Sequence, residues 1–347
     1  MNISRVGVDL AKNVFQLQGV DRHGKPVWKR KLSRDKWLSV LFETVKPGTE
    51  IGMEACSGAH HWSRILLSKG YPVKIIPPQH VKPFVKTNKN DANDALAICE
   101  TMVRPKLYPV PVKTVEQQDL QAIHRVRSDI MSTRISKANQ IRGLVSEYGL
   151  VAPQQFAALR RVIPRWLDDS DNGLTICFKQ LLQGLWDDLI LLEQRLDEMN
   201  KQITRYAQRD PVAKRLQKMN GVGPLIATAM VATLGDGKQY RKGRDMAAAL
   251  GLTPKQYSSG GKERLLGISK RGDSYLRALL VHGARSTMIY AKNRQDRFSR
   301  WVVNLQSRRH PNVVAVAIAN KMARTAWVLM TKEVEYDPNR GMESANC

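Results

Sequence analysis

The sequence predicts an α/β N-terminal domain followed by a helical remainder, and three observations predict it. Short apolar runs separated by turn residues open the chain, as strands do. Further on, such runs alternate with segments of helical spacing. From about residue 115 only helical spacing recurs.

The elements follow in order. "RVGVDLA" is a short apolar run around one acid. "NVFQLQGVD" alternates, and the turn "RHGK" leads into "PVWKRKLS", which makes a meander of three strands. "DKWLSVLFETV" has helical spacing, "TEIGMEA" reads as a fourth strand, and "HHWSRILLSKG" as a helix closed by Gly70. "PVKIIPP" is a fifth strand, and "KTNKNDANDALAI" opens a helix that runs through Met102. Three antiparallel strands followed by strand–helix alternation is the order of an RNase H-like fold. Beyond it, "VEQQDLQAIHRVRSDIMSTRISKANQIRGLVSEYGL" carries Arg125, Arg127, Arg134, Lys137 and Arg142 among apolar positions. A polar, Pro-containing stretch follows around residues 153–175. Leu182, Leu185, Leu189, Leu192, Leu196, Met199, Ile203 and Tyr206 then recur at steps of three and four, a coiled-coil seam that predicts helix pairing within or between chains. "KMNGVGPLIATAMVATLGD" sets Gly221 and Gly223 before an apolar helix, in the form of a helix-hairpin-helix turn. Such a turn offers backbone N–H groups to a phosphate, or is simply a tight turn. The segment 247–284 reads as helix, polar Gly-rich loop, basic turn and helix, and "RRHPNVVAVAIANKMARTAWVLM" as one more helix. The reading divides the chain at 1–112, 113–210 and 211–347.

Composition narrows the partners. The 347 residues carry 56 Lys and Arg against 31 Asp and Glu, a net charge of +25. That excess points to a polyanion, nucleic acid before anionic membrane. No apolar run is expected to reach the ~20 residues of a membrane span, and no secretory signal precedes the first strand. Cys56, Cys99, Cys177 and Cys347 are scattered, with no CxxC pair and no zinc pattern. A reduced, bacterial-type cytoplasm is the expected setting.

Four carboxylates stand out. Asp9 lies inside the first apolar strand and Glu54 at the end of the fourth. An acid in an apolar strand is costly to bury unless it is paired or metal-bound. Asp91 and Asp94 share a helix face one turn apart, where like charges repel unless a cation lies between them. Taken alone, the pair reads more readily as an acidic helix start. Together the four have the layout of a two-metal nuclease centre, and oxygen donors select Mg²⁺ or Mn²⁺. Lys86 and Lys89, just before the paired acids, would meet substrate phosphates. His60 and His61 follow Glu54 closely, and helix-start packing or DNA contact fits them better than catalysis.

"GVDLAKNVFQLQGVD", "GMEACSGAHHW", "VKTNKNDANDA" and "GLTPKQYSSGG…GISKRGD", in this order over nearly the whole chain, resemble the DEDD transposases of the IS110 family, in its IS1111-like subgroup. The resemblance implies a RuvC-like catalytic domain whose acids, here Asp9, Glu54, Asp91 and Asp94, bind Mg²⁺. It implies a helical coiled-coil assembly segment and a mostly α-helical C-terminal transposase domain with a nucleophilic serine, here Ser259. That serine would form a phosphoserine link to DNA. Donor and target DNA would be chosen by pairing to a guide RNA encoded by the element, within a homo-oligomer, a dimer or tetramer. Ser258 and Tyr257 are chemically competent neighbours, and the "SGG" context favours Ser259. Lys262, Lys270 and Arg271, with the basic helix from 115, would neutralise phosphates without reading sequence. Two rivals stand beside this reading: a metal-dependent junction or RNase H-type nuclease that uses water, and a non-catalytic nucleic-acid-binding protein. A covalent protein–DNA adduct separates it from both.

Overall fold

In the computed structural model, which describes residues 2–85, 91–105 and 107–339, the N-terminal apolar runs form one mixed sheet. Strands β1 (Arg5–Asp9), β2 (Val14–Val20) and β3 (Pro26–Ser33) make the expected antiparallel meander. After α1 (Trp37–Thr44), β4 (Glu50–Glu54) pairs parallel with β1. After α2 (Ala59–Ser68), β5 (Val73–Ile76) pairs parallel with β4. The spatial order is β3-β2-β1-β4-β5. A short α3 (Pro78–Val81) and a 3-10 turn precede α4 (Asp91–Thr101).

Alternation along the strands sorts the two faces of the sheet. Val6, Val8, Phe15, Leu17, Ile51 and Met53 face α1 and α2, where Phe15, Trp37 and Trp62 meet edge to face at 5.2–5.6 Å. The opposite face carries Gly7 and Gly52, and α4 lies on it. A Cβ at Gly7 would sit 2.2 Å from the Ala95 carbonyl oxygen, and one at Gly52 would sit 2.4 Å from Met102 Sδ. Glycine at position 7 is what lets the helix backbone approach, while at position 52 it makes room for the Met102 side chain. Ile76, Val81, Ala97, Ile98 and Met102 complete that side.

The chain packs as two compact units, Met1–Glu116 with Leu234–Met246, and Gln117–Thr233 with Ala247–Cys347. In the second, α5 (Val115–Ser146), α6 (Phe156–Asp168) and α7 (Ile176–Arg209) share a core of Ala138, Ile141, Val145, Leu159, Ile163, Phe178, Leu182 and Leu189. Helices α5 and α7 run antiparallel. Arg127 Nε donates to Asn200 Oδ1 at 2.7 Å, Arg134 pairs with Glu193 at 2.9 Å, and Lys137 with Asp188 at 3.0 Å. Every seventh residue of the seam, Leu182, Leu189, Leu196 and Ile203, is buried, so α7 finds a helix partner within the chain. Helix α6 occupies the stretch that reads as a polar connector. Pro164 sits inside it, at the cost of one backbone hydrogen bond, while Leu159 and Ile163 are fully buried.

The rest of the chain forms α8 (Pro211–Gln217), α9 (Pro224–Leu234), α10 (Gly243–Ala249), the hairpin β6 (Pro254–Gln256) and β7 (Leu265–Ile268), α11 (Ser274–Tyr290), α12 (Arg297–Arg308) and α13 (Pro311–Thr331), with residues 234–246 counted in the first unit. The hairpin replaces the loop expected from the sequence. Helix α13 corrects the expectation about apolar runs: it has the length and mean hydropathy, 1.4, of a span. Half of that window is buried inside the protein, through Val314, Ile318, Met322 and Ala326. Near α9, His124 is 3% exposed. Its Nε2 lies 3.0 Å from Thr228 Oγ1 and its Nδ1 3.0 Å from the Tyr275 hydroxyl. Thr228 donates its own proton to the Pro224 carbonyl at 2.8 Å. His124 therefore donates from Nε2 and accepts the Tyr275 proton at Nδ1, which assigns a neutral tautomer.

Candidate active site

The parallel register of β1 and β4 matches Val8 with Met53, so the next residues, Asp9 and Glu54, end the two strands side by side. Asp9 is two residues from Gly7 and Glu54 two from Gly52. Alternation therefore puts both acids on the α4 face. Both are half-buried. Their charge reaches Cys56, whose thiol is pushed up to about 11, first by burial and then by Glu54 and Asp9. Helix α4 begins at Asp91, and Asp94, half-buried, directly precedes the Ala95 that touches Gly7. The Asp91 side chain, Lys86 and Lys89 lie outside the described residues.

No metal-ligating group of three or more His, Cys, Asp or Glu is assembled among the described residues, a set that excludes the Asp91 side chain. The donors gathered at the strand ends are carboxylate oxygens, which suit a hard divalent cation. The neighbouring histidines have other contacts. His60 Nδ1 accepts from the Lys113 backbone N–H at 3.3 Å, and His61 packs its ring on Trp62 at 4.7 Å.

In the second unit, Ser259 stands at the tip of the β6–β7 hairpin. Ser259 and Lys262 are bridged, with the Lys262 N–H donating to the Ser259 carbonyl at 3.1 Å. Between them Gly260 and Gly261 have φ of 56° and 75°. Two successive positive φ values make the tight hairpin turn that glycines favour. The tip is exposed throughout. Ser258 differs from Ser259: its Oγ accepts the Arg264 N–H at 3.2 Å, while the Ser259 hydroxyl has no hydrogen-bond partner among the described residues.

The base of the hairpin is clamped. Ser269 N–H donates to the Thr253 carbonyl at 2.8 Å, and Lys270 N–H to Gly251 at 3.2 Å. A Cβ at Gly272 would lie 1.9 Å from the Ala249 carbonyl oxygen. Lys270 itself has φ of 55°, a strained value for a lysine, held by these contacts. Arg271 follows, exposed, its carbonyl accepting from Arg277 Nη1 at 2.6 Å. Asp273 then caps α11 through the Leu276 N–H at 2.9 Å.

The other basic and glycine positions divide by what they touch. Arg127, Arg134 and Lys137 join α5 to α7, and Arg134 also lies 3.6 Å over the Phe156 ring. Arg142 donates to the Pro153 and Gln154 carbonyls at 3.0 and 2.6 Å. Arg125 is exposed and lines a cavity of about 650 Å³ with Gln121, Asp129, Thr233 and Tyr275. Gly221, with φ of 79°, is pressed against α11, where a Cβ would lie 2.4 Å from the Gly283 carbonyl oxygen. Gly223 is exposed, with open space around it, just before α9.

Comparison with known proteins follows the same two regions. Residues 6–150 match the transposase family of the DEDD, IS110 type, and residues 213–300 match the transposase IS116/IS110/IS902 family. A probable family 20 transposase of Pseudomonas aeruginosa is 45% identical over 339 residues, 97% of this chain and 100% of that protein. The transposase for insertion sequence element IS1111A of Coxiella burnetii is 41% identical, over 96% of this chain and 92% of its own length. The transposase for insertion sequence element IS1328 of Yersinia enterocolitica is 38% identical, over 95% and 98%.

Proposed function

This chain belongs to the IS116/IS110/IS902 family of insertion-sequence transposases, and from that premise we propose how it acts on DNA. Asp9, Glu54, Asp91 and Asp94 hold Mg²⁺ or Mn²⁺, Ser259 is the nucleophile, and a guide RNA encoded by the element selects donor and target DNA. The working form is a homo-oligomer in the bacterial cytoplasm. The observation that carries the reading is the placement of Asp9 and Glu54 side by side on the face covered by α4, the helix of Asp91 and Asp94.

A divalent cation at these acids supplies Lewis-acid stabilisation of the oxygens entering and leaving phosphorus. The chain's own residues do the rest. The Gly260–Gly261 turn lets a DNA backbone come close to the Ser259 hydroxyl. Attack by Ser259 Oγ, which gives up its hydroxyl proton, forms one P–O bond while the bond to the leaving deoxyribose oxygen breaks, and that oxygen takes up one proton in turn. Lys262, paired across the turn from Ser259, offsets charge gathering on the phosphate. The phosphoserine conserves the phosphodiester energy, so strands rejoin without ATP.

Denaturing electrophoresis of labelled DNA, with peptide mapping of any adduct, tests this. Ser259→Ala removes the covalent adduct and strand exchange, Ser258→Ala keeps both, and Asp9→Ala stops cleavage while leaving the melting curve unchanged. An adduct that persists in Ser259→Ala sinks the serine assignment. Cleavage that needs metal but never yields an adduct selects the nuclease rival.

A further inference from the structure

We propose that one face of the β6–β7 hairpin positions the DNA strand at the phosphate under attack, with the Tyr257 ring stacked on a neighbouring base and Arg264 on a flanking phosphate. The proposal rests on the reading of Ser259 as nucleophile.

The hairpin register carries it. Gln256 pairs with Leu265, Tyr257 N–H donates to the Arg264 carbonyl at 2.9 Å, and Ser259 bridges to Lys262. Residues opposite each other in an antiparallel pair point to the same face, and residues two apart along a strand do as well. Tyr257, Ser259, Lys262 and Arg264 therefore share one face. The one acid of the hairpin, Glu263, falls on the other face with Ser258. The side that presents the serine hydroxyl thus carries Lys262 and Arg264 and no carboxylate.

Tyr257 is 74% exposed and makes no ring contact among the described residues. A large ring held in water beside cations lowers its free energy by stacking on a base, and any base will serve because each has a π-face. The ring is one strand repeat from Ser259, about 6–7 Å along the backbone, which brings it to the nucleotide next to the attacked phosphate. Lysine and arginine around it favour a polyanion over an apolar protein surface. The face that bears the nucleophile must meet the strand that is cut, so the occupant is DNA. A two-stranded hairpin is marginal alone. This one is fixed at its base and exposed at its tip, so substitutions on this face leave the core of the unit untouched.

The test uses the full-length protein carrying Ser259→Ala, the element's own transcript, and duplex DNA spanning the element's end and its flank. The DNA carries 2-aminopurine singly at each position across the mapped cleavage point. Fluorescence is expected to be quenched at a position adjoining the cleaved bond. That quenching is lost in Tyr257→Ala and kept in Tyr257→Phe. With Ser259 intact, Tyr257→Ala slows cleavage about tenfold or more, Tyr257→Phe stays near wild type, and Arg264→Lys restores part of what Arg264→Gln loses. Quenching unchanged in Tyr257→Ala overturns the proposal, as does quenching only when the probe is placed in the RNA. Loss of the adduct in Tyr257→Phe also overturns it, because stacking needs no hydroxyl. The two readings fail separately: an adduct that survives Ser259→Ala removes the nucleophile but leaves the quenching result standing.

Discussion

His124 holds a neutral imidazole in the interior, and that has a price in acid. Burial, helped by the charge of Arg127, lowers its pKa from 6.5 to about 4. The unfolded chain takes up this proton below about pH 6.5, while the folded protein resists until about pH 4. Folded stability therefore falls as pH drops through that window, and above it His124 contributes no pH dependence. At about pH 5 the loss relative to neutrality is about 2 kcal/mol. Urea melts at both pH values should show it, and His124→Gln should remove that component of the difference. An identical drop in both proteins would contradict the assignment. At this scale the strand acids were legible in the sequence, because a carboxylate inside a run such as "RVGVD" demands a reason. The roles of Arg127 and Arg134 were not. Their partners, Asn200 and Glu193, lie 73 and 59 residues away, and nothing local distinguishes an internal arginine from one facing a phosphate.

Helix α4 reaches β1 closely because Gly7 has no side chain, and this joins the fold to the acids. Gly7→Ala would drive a methyl into the Ala95 carbonyl, a backbone atom that cannot rotate away. Overpacking of this kind costs ~1–3 kcal/mol, and relief requires α4 to lift from β1. Gly7→Ala should therefore lower the melting temperature and also depress DNA cleavage, although all four acids remain. Normal cleavage with normal melting would show that the helix does not need this contact. Elements were legible where periodicity was long or alternation clean, as in the meander and the seam of α7. The seam announced a partner helix, but only the structure identifies it as α5. Two elements were hidden for opposite reasons. Pro164 masked α6, whose burial of Leu159 and Ile163 outweighs the missing hydrogen bond. The strands of the β6–β7 hairpin are short and exposed, so they carry no apolar alternation to read.

The charge of the whole molecule, +25, is a prediction about salt. Each DNA phosphate neutralised by Lys or Arg releases condensed counterions, so log affinity falls with log salt by ~0.9 per contact. A transposase with this excess should lose ~10³-fold or more in DNA affinity between ~50 and ~200 mM salt, as a protein with six to ten phosphate contacts does. The structure divides the cations into two groups that this measurement separates. Lys255, Lys262 and Arg264 are exposed on the hairpin, while Arg134 is held between Glu193 and the Phe156 ring. Lys262→Gln should make the salt slope shallower by about one, with little effect on folding. Arg134→Gln should leave the slope unchanged and lower stability instead, because it leaves Glu193, largely buried, without its nearest partner. Fluorescence anisotropy of labelled DNA over a salt series, paired with thermal melts of each variant, reads both quantities. A slope that changes with Arg134→Gln and not with Lys262→Gln would reverse the division, assigning the helical cations to DNA and the hairpin cations to solvent.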